Sequence, residues 1–165
     1  MRELNPTDTH HWRAATGWLE LGNQAEARAE LAKVSPTNRH HPDVLELVSR
    51  ILAAEKKWVE ALEVSRELVH TDPRNPSGWI HQSYSLHELK RTKEALDLLL
   101  PAVEKFPGMS TITYNLACYA CQLGDLEQAR HWLGRSIKTR GKQDIKKVAL
   151  VDPDLEPMWE EIRKL

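Results

Sequence analysis

The sequence predicts an all-α protein built from four similar helical hairpins. Three observations predict it: a recurrence of about 34 residues, apolar residues at helical spacing with no strand-type alternation, and turn or proline chemistry where the period demands it. Four alanines mark the recurrence. Ala27 lies in Asn23-Gln24-Ala25-Glu26-Ala27-Arg28, Ala61 in Trp58-Val59-Glu60-Ala61-Leu62, Ala95 in Thr92-Lys93-Glu94-Ala95-Leu96 and Ala129 in Leu126-Glu127-Gln128-Ala129-Arg130, at equal intervals along the chain. At one fixed offset before each stands another small residue: Ala15, Ser49, Ser83 and Ala117. Small side chains at two matching places let paired antiparallel helices approach closely.

The first hairpin, about residues 8–41, turns at Gly22-Asn23, and Asn23 followed by Glu26 has the spacing of a helix cap. Pro36 cuts its second helix short, and Asn38-Arg39-His40-His41-Pro42 makes a polar seam. In the second, about 42–75, Leu45, Val48 and Leu52 and then Ala61, Leu62 and Leu68 follow helical spacing up to Asp72-Pro73-Arg74-Asn75-Pro76. The third, about 76–109, carries Trp79, Leu86 and Leu89, then Leu96, Leu99 and Val103, and closes at Phe106-Pro107-Gly108. The fourth, about 110–141, turns at Gly124-Asp125, with Gln128 in the cap register that follows. Residues 142–165 read as a helix from Asp144, a break at Asp152–Pro157 and a last short helix. Leu155, Trp159 and Ile162 are expected to cover the apolar face that a stack of hairpins leaves at its end. Leu4-Asn5-Pro6-Thr7-Asp8 resembles a seam more than a beginning, as in a piece of a longer array.

Lysine plus arginine (23) nearly balance aspartate plus glutamate (24), so charge gives no reason to expect nucleic acid or an anionic membrane as partner. No apolar run approaches the ~20 residues of a membrane helix, and the start lacks the apolar core of a secretory signal. Two cysteines build no disulfide framework. A cytoplasmic protein of one domain, 1–165, is the simplest expectation.

These residues resemble the tetratricopeptide repeat family, whose period is about 34 residues. Trp79, Ser83, Leu86, Ala95, Ala102 and Pro107 fall where the family has an aromatic, a small residue, an apolar residue, two alanines and proline; the fourth repeat departs, with Lys142 where the closing proline belongs. The resemblance covers about residues 8–141. It implies a right-handed α-solenoid whose concave wall is formed by the first helix of each hairpin. Carried onto this chain, that wall takes Trp12, Arg13, Thr16 and Glu20 from the first repeat, and Glu46, Leu47, Arg50 and Ala54 from the second. Ile80, His81, Tyr84, His87 and Glu88 come from the third, and Tyr114, Asn115, Cys118 and Gln122 from the fourth. Rings beside amides and imidazoles suit a peptide groove, with Tyr84 and Tyr114 as anchors.

The family's carboxylate clamp, made of lysine, asparagine and arginine, is not matched. Its places hold Trp12, Thr16, Leu47, Ser77 and His81 in one frame and Glu46, Arg50, His81, Thr111 and Asn115 in the next. Cys118-Tyr119-Ala120-Cys121 invites a metal or redox reading, with His81 or His87 as further ligands, but the strand context of a redox motif is absent. Buried free cysteines are the commoner outcome. His10-His11 and His40-His41 read as surface residues, and no phosphate loop, nucleophile elbow or metalloprotease motif occurs. The expectation is therefore no metal, no cofactor and no enzyme, but a module or scaffold that binds a partner protein or peptide. The alternatives are a bacterial secretion-type chaperone, weakened by the lack of an extra helix before Trp12, and a regulatory fragment of a larger assembly. Neither the partner nor an oligomeric state follows from the pattern, because fold alone does not define function.

Overall fold

The computed structural model of the chain describes residues 3–165. Helices follow one another as α1 (Pro6–Glu20), α2 (Gln24–Leu31), α3 (Pro42–Ala54), α4 (Trp58–Thr71), α5 (Pro76–Glu88), α6 (Thr92–Leu99), α7 (Ala102–Lys105), α8 (Ser110–Gln122), α9 (Leu126–Arg140), α10 (Lys142–Ala149) and α11 (Trp159–Lys164). Short 3₁₀ turns occupy Pro36–Asn38 and Pro153–Met158, and no strand occurs among the described residues. No described helix is long and apolar enough to cross a membrane. The chain divides into an N-terminal body up to Ser85 and a C-terminal body from Leu86 to Leu165.

Proline opens α1, α3 and α5, at Pro6, Pro42 and Pro76, where a missing N–H costs no helical bond. The residue before each proline caps the exposed amides: Asn5 Oδ1 accepts from the Asp8 amide at 2.9 Å, His41 Nδ1 from Asp43 at 3.3 Å, and Asn75 Oδ1 from Ser77 at 2.9 Å. Asn23 and Asp125 cap α2 and α9 by accepting from the amides of Glu26 (3.1 Å) and Gln128 (3.0 Å). The reciprocating half differs from a capping box, because the Gln128 side-chain amide donates to the Asp125 carboxylate (2.9 Å).

Each first helix ends in the same way. Gly22, Lys56, Lys90 and Gly124, spaced by the period, all have positive φ, at 76°, 57°, 63° and 81°. At each of them that amide bonds three residues back and the next amide five residues back, from Gly22 to Leu19 and Asn23 to Trp18 through to Gly124 to Cys121 and Asp125 to Ala120. This is the Schellman arrangement, which satisfies the last carbonyls of a helix and reverses the chain. Glycine adopts that left-handed conformation freely; Lys56 and Lys90 adopt it at a cost.

All eight small positions are fully buried: Ala15, Ala27, Ser49, Ala61, Ser83, Ala95, Ala117 and Ala129 are each 0% exposed. In the N-terminal body Ala15, Ala27, Leu47 and Ile51 form one cluster, with Trp12, Leu19 and Leu31 packed against it. In the C-terminal body Leu96, Leu99, Ile112, Leu116, Tyr119 and Leu133 are buried, as are Ala95, Ala117 and Ala129. One expectation is corrected: the helix carrying Leu96, Leu99 and Val103 is not continuous. Pro101 has no N–H for the next intrahelical bond, so α6 stops at Leu99 and α7 restarts at Ala102.

The start of α1 is fastened through a buried carboxylate. Asp8 accepts from the Ser35 amide (2.8 Å), the Ser35 hydroxyl (2.5 Å), Asn38 Nδ2 (2.6 Å) and Asn5 Nδ2 (2.7 Å), tying the helix to the turn that follows α2. The Ser35 hydroxyl and amide, then Asn38, hold its carboxyl down at about 2.

At the other end α10, the 3₁₀ turn and α11 cover the last hairpin. Leu155, Met158 and Ile162 are 0%, 2% and 1% exposed. Trp159 Nε1–H donates to the Ala149 carbonyl at 2.9 Å, and Arg130 forks onto Glu161 at 2.7 and 2.8 Å. Leu155 and Ile162 are thus buried, while Trp159 is half-buried and holds the end of α10.

This packing has measurable outcomes. Ala95→Leu should cost about 1–3 kcal/mol in urea unfolding, because a Leu side chain overfills a fully buried site. Lys90→Gly should gain about 0.5–1 kcal/mol by relieving the left-handed turn; equal stability of both variants and parent would refute the register. For Asp8, whose folded pKa lies below its unfolded value, the stabilisation is present above about pH 4 and is lost as pH falls towards 2. Asp8→Asn should therefore lower the melting midpoint at neutral pH and flatten the acid limb of its pH dependence. Removing residues 152–165 strips Leu155, Met158 and Ile162 from the last hairpin and should lower the midpoint and promote aggregation, read by light scattering during a thermal ramp.

Candidate functional site

The residues expected to form an inner wall lie on α1, α3, α5 and α8, and the fold uses them in three ways. Some serve packing. Trp12 lies against the core cluster and donates its Nε1–H to the Asp43 carbonyl at 3.0 Å. The Thr16 hydroxyl donates back to the Trp12 carbonyl at 2.9 Å, and Leu47 is 2% exposed within the same cluster. These three differ from the expectation of an open wall, because α1 packs this face against α3 of the next hairpin and the Thr16 hydroxyl is used within α1. Glu46 is half-buried and accepts from Asn75 Nδ2 at 3.2 Å.

A second group lines a cleft on the N-terminal body. Arg50, Ala54, Ile80, His81 and Tyr84 form it together with Leu19 and Ala53. The sequence reading missed Leu19 and Ala53, although Leu19 lies one turn after Ala15 and shares its helix face. Tyr84 is 38% exposed, and its ring meets Trp58 edge to face at 5.5 Å. Burial holds the His81 imidazole below its usual value; Glu46 pulls it up and Arg50 pushes it further down. A neutral ring therefore predominates at neutral pH, and Arg50 carries the cleft's positive charge. Arg50 is half-buried and makes no ion pair among the described residues. Arg13, on α1, is exposed.

The third group lies in the C-terminal body, where the expectation that His87, Tyr114 and Cys118 stand open on the concave wall is corrected. The 3₁₀ turn after α10 folds across α8 and takes up these groups in cis. Tyr114 donates its hydroxyl to Asp152 Oδ2 at 2.7 Å, the Cys118 thiol lies 3.6 Å from the same oxygen, and Gln122 Nε2 donates to the Asp154 carbonyl at 2.9 Å. His87 Nε2 is 3.0 Å from Asp154 Oδ2 and its Nδ1 is 3.0 Å from Thr92 Oγ1, while its ring lies 4.9 Å from that of Tyr119. Cys118 and His87 are 4% and 6% exposed; Asn115 is half-buried on α8.

Burial, then Asp152 and Asp154, raises the Cys118 thiol; burial and the same two carboxylates raise Cys121. Burial also pushes the Tyr114 hydroxyl far up, with Cys118 and Asp152 adding to it. Thiols held protonated are poor nucleophiles, which separates this Cys-x-x-Cys from redox motifs with depressed thiol values. In the sequence Asp152 and Asp154 read only as a helix break. Their approach to residues far earlier in the chain depends on its path in space, and local pattern carries no sign of it.

No known family profile matches the sequence, and no curated protein matches it. Solved structures do match. A tetratricopeptide protein of Thermus thermophilus, TTC0263, superposes with a TM-score of 0.75 at 17% identity over 96% of this chain and 100% of that one. Pseudomonas aeruginosa PilF gives 0.78 at 23% identity over 96% and 70%. YrrB, described as a tetratricopeptide protein with an unusual peptide-binding site, gives 0.69 at 17% identity over 84% and 71%. The all-α class and the period read from the sequence thus meet in one conclusion: the chain has the tetratricopeptide-repeat fold.

Proposed function

We propose that the chain is a protein-interaction module, and that the cleft lined by Arg50, Ile80, His81 and Tyr84 holds a partner segment in which a carboxylate stands next to a large apolar side chain. The fold supports protein binding in general, and YrrB, of the same fold, is described as having a peptide-binding site. What carries the finer reading is Arg50: a half-buried guanidinium without an ion-pair partner among the described residues, set among Leu19, Ala53, Ala54 and Ile80. A planar fork in a partly desolvated, apolar surround favours a carboxylate strongly. Tyr84 offers a wide face already steadied by Trp58, so little freedom is lost on binding. No catalytic role is proposed for the chain.

Panning the purified protein against a random peptide library tests this reading. Enriched peptides should pair Asp, Glu or a C-terminal carboxylate with Leu, Ile or Phe. By calorimetry with one such peptide, Tyr84→Ala should weaken binding by about 2 kcal/mol, roughly 30-fold, with helical content unchanged. Arg50→Gln should remove the preference for the carboxylate peptide over its amide. Glu67→Gln, on α4 where the side chain pairs with His40, should leave affinity unchanged. Enrichment of peptides with no acidic group, or indifference to both Tyr84→Ala and Arg50→Gln, would overturn the reading. A secreted client among natural partners would turn it towards a chaperone.

A further inference from the structure

We propose that the C-terminal body contains a binding site for a divalent transition-metal ion of borderline softness, zinc foremost, whose ligands are Cys118 on α8, Asp152 and Asp154 on the 3₁₀ turn, and His87 at the end of α5. The site is independent of the Arg50 cleft, and either proposal can fail without the other.

Geometry is the first argument. The Cys118 Sγ and one carboxylate oxygen from each of Asp152 and Asp154 all lie within 4.8 Å of one another. Cys118 Sγ is 3.6 Å from Asp152 Oδ2, and His87 Nε2 is 3.0 Å from Asp154 Oδ2. A tetrahedral zinc ion with bonds of about 2.0–2.3 Å holds its ligand atoms roughly 3.3–3.8 Å apart. The first separation already falls in that range; His87 lies outside the group of three and reaches a shared ion by moving in beside Asp154.

Charge is the second. Asp152 and Asp154 stand two residues apart on one turn and face a buried thiol, and among the described residues no lysine or arginine pairs with either. Two carboxylates drawn together in a half-buried place repel each other, and His87 is the one titratable base facing them among the described residues. A dication meets both carboxylates at once.

The surroundings supply the third. Outer partners aim the ligand atoms: Thr92 Oγ1 engages His87 Nδ1 and leaves Nε2 facing the site, Tyr114 donates to Asp152 Oδ2, and the Asp154 amide donates to Asp152 Oδ1 at 3.0 Å. Such outer hydrogen bonds orient metal ligands and set their basicity. One sulfur, one nitrogen and two oxygens suit zinc; calcium and magnesium favour all-oxygen cages. With His87 drawn in as the fourth ligand the site is closed and structural, and it fastens the turn to α8. The sequence motif pairs Cys118 with Cys121, but the fold pairs Cys118 with Asp152 and Asp154 instead.

Cobalt(II) is the probe, because a thiolate on cobalt absorbs in the near ultraviolet and four-coordinate cobalt gives strong visible bands. The full chain, treated with a chelator and dialysed, is titrated with cobalt(II); zinc(II) then displaces it. The expected result is a single ion per chain with both absorptions present, and a higher melting midpoint with zinc. Cys118→Ser should abolish the near-ultraviolet band, and Cys121→Ser should keep it. Asp154→Asn should weaken zinc binding more than about 100-fold, and Tyr114→Phe, which touches only the outer bond, by about 10-fold. Circular dichroism checks that each variant is folded. Should Cys118→Ser fail to fold, the parent and Cys121→Ser spectra decide alone. Absence of the thiolate band in the parent, its loss in Cys121→Ser, or zinc affinity unchanged by Asp154→Asn would overturn the site. The last result would place the ion elsewhere on the chain.

Discussion

The constraint on which the rest depends is the approach of paired helices at fully buried alanine or serine. Eight such positions, at 0% exposure, recur at one fixed offset within each hairpin and at one period along the chain. A pair can close only if both helices present a small residue at the crossing, so the turn between them must have the right length and hand. The left-handed residue at 22, 56, 90 and 124 supplies that, with the same paired backbone bonds at each turn. Crossing and turn share one phase. A slip of one residue would put Leu62 where Ala61 now sits, and would overfill the crossing. Lysine is tolerated in the left-handed turn because the crossing fixes the backbone there regardless of the local cost.

Much of the fold was legible because it is local and repeated. The small positions, Gly22 and Gly124, and the capping residues Asn23 and Asp125 carry their meaning in residue type, and the prolines mark the seams. Lys56 and Lys90 were not legible as left-handed residues, since nothing in a lysine signals positive φ; only the period points to it. Asp8 was likewise silent. Its partners Ser35 and Asn38 are almost a repeat away, and a carboxylate near a helix start ordinarily reads as a favourable charge at the dipole end, not as the hub of a buried network.

The inner-wall residues divided for a physical reason. A wall position is open only when neither the neighbouring hairpin nor a later segment needs it. Trp12 and Leu47 are claimed by the packing of the first two hairpins on each other, Thr16 by a bond within α1, and Tyr114, Cys118 and His87 by the C-terminal turn. The claims of the second kind are made by residues far from the repeat in question, so a repeat pattern names the wall but not its occupancy. Arg50 and Tyr84 stay partly open on the cleft they share with Ile80 and His81, Tyr84 with its ring against Trp58.

The C-terminal turn combines two kinds of contact with different roles. Leu155, Met158 and Ile162 remove apolar surface from water, and such burial supplies the free energy that holds the end in place. It does not by itself fix one orientation, because apolar contact is non-directional. Asp152 and Asp154 add direction through Tyr114, Cys118 and His87, yet two half-buried carboxylates bring a desolvation cost that offsets much of what their hydrogen bonds contribute. A purely structural end could have used a neutral Asn at either place, with the same acceptor atom and less electrostatic cost. That the turn sets two carboxyl groups against a thiol and an imidazole is therefore poorly explained by capping alone, and is accounted for if a cation is the group they orient around.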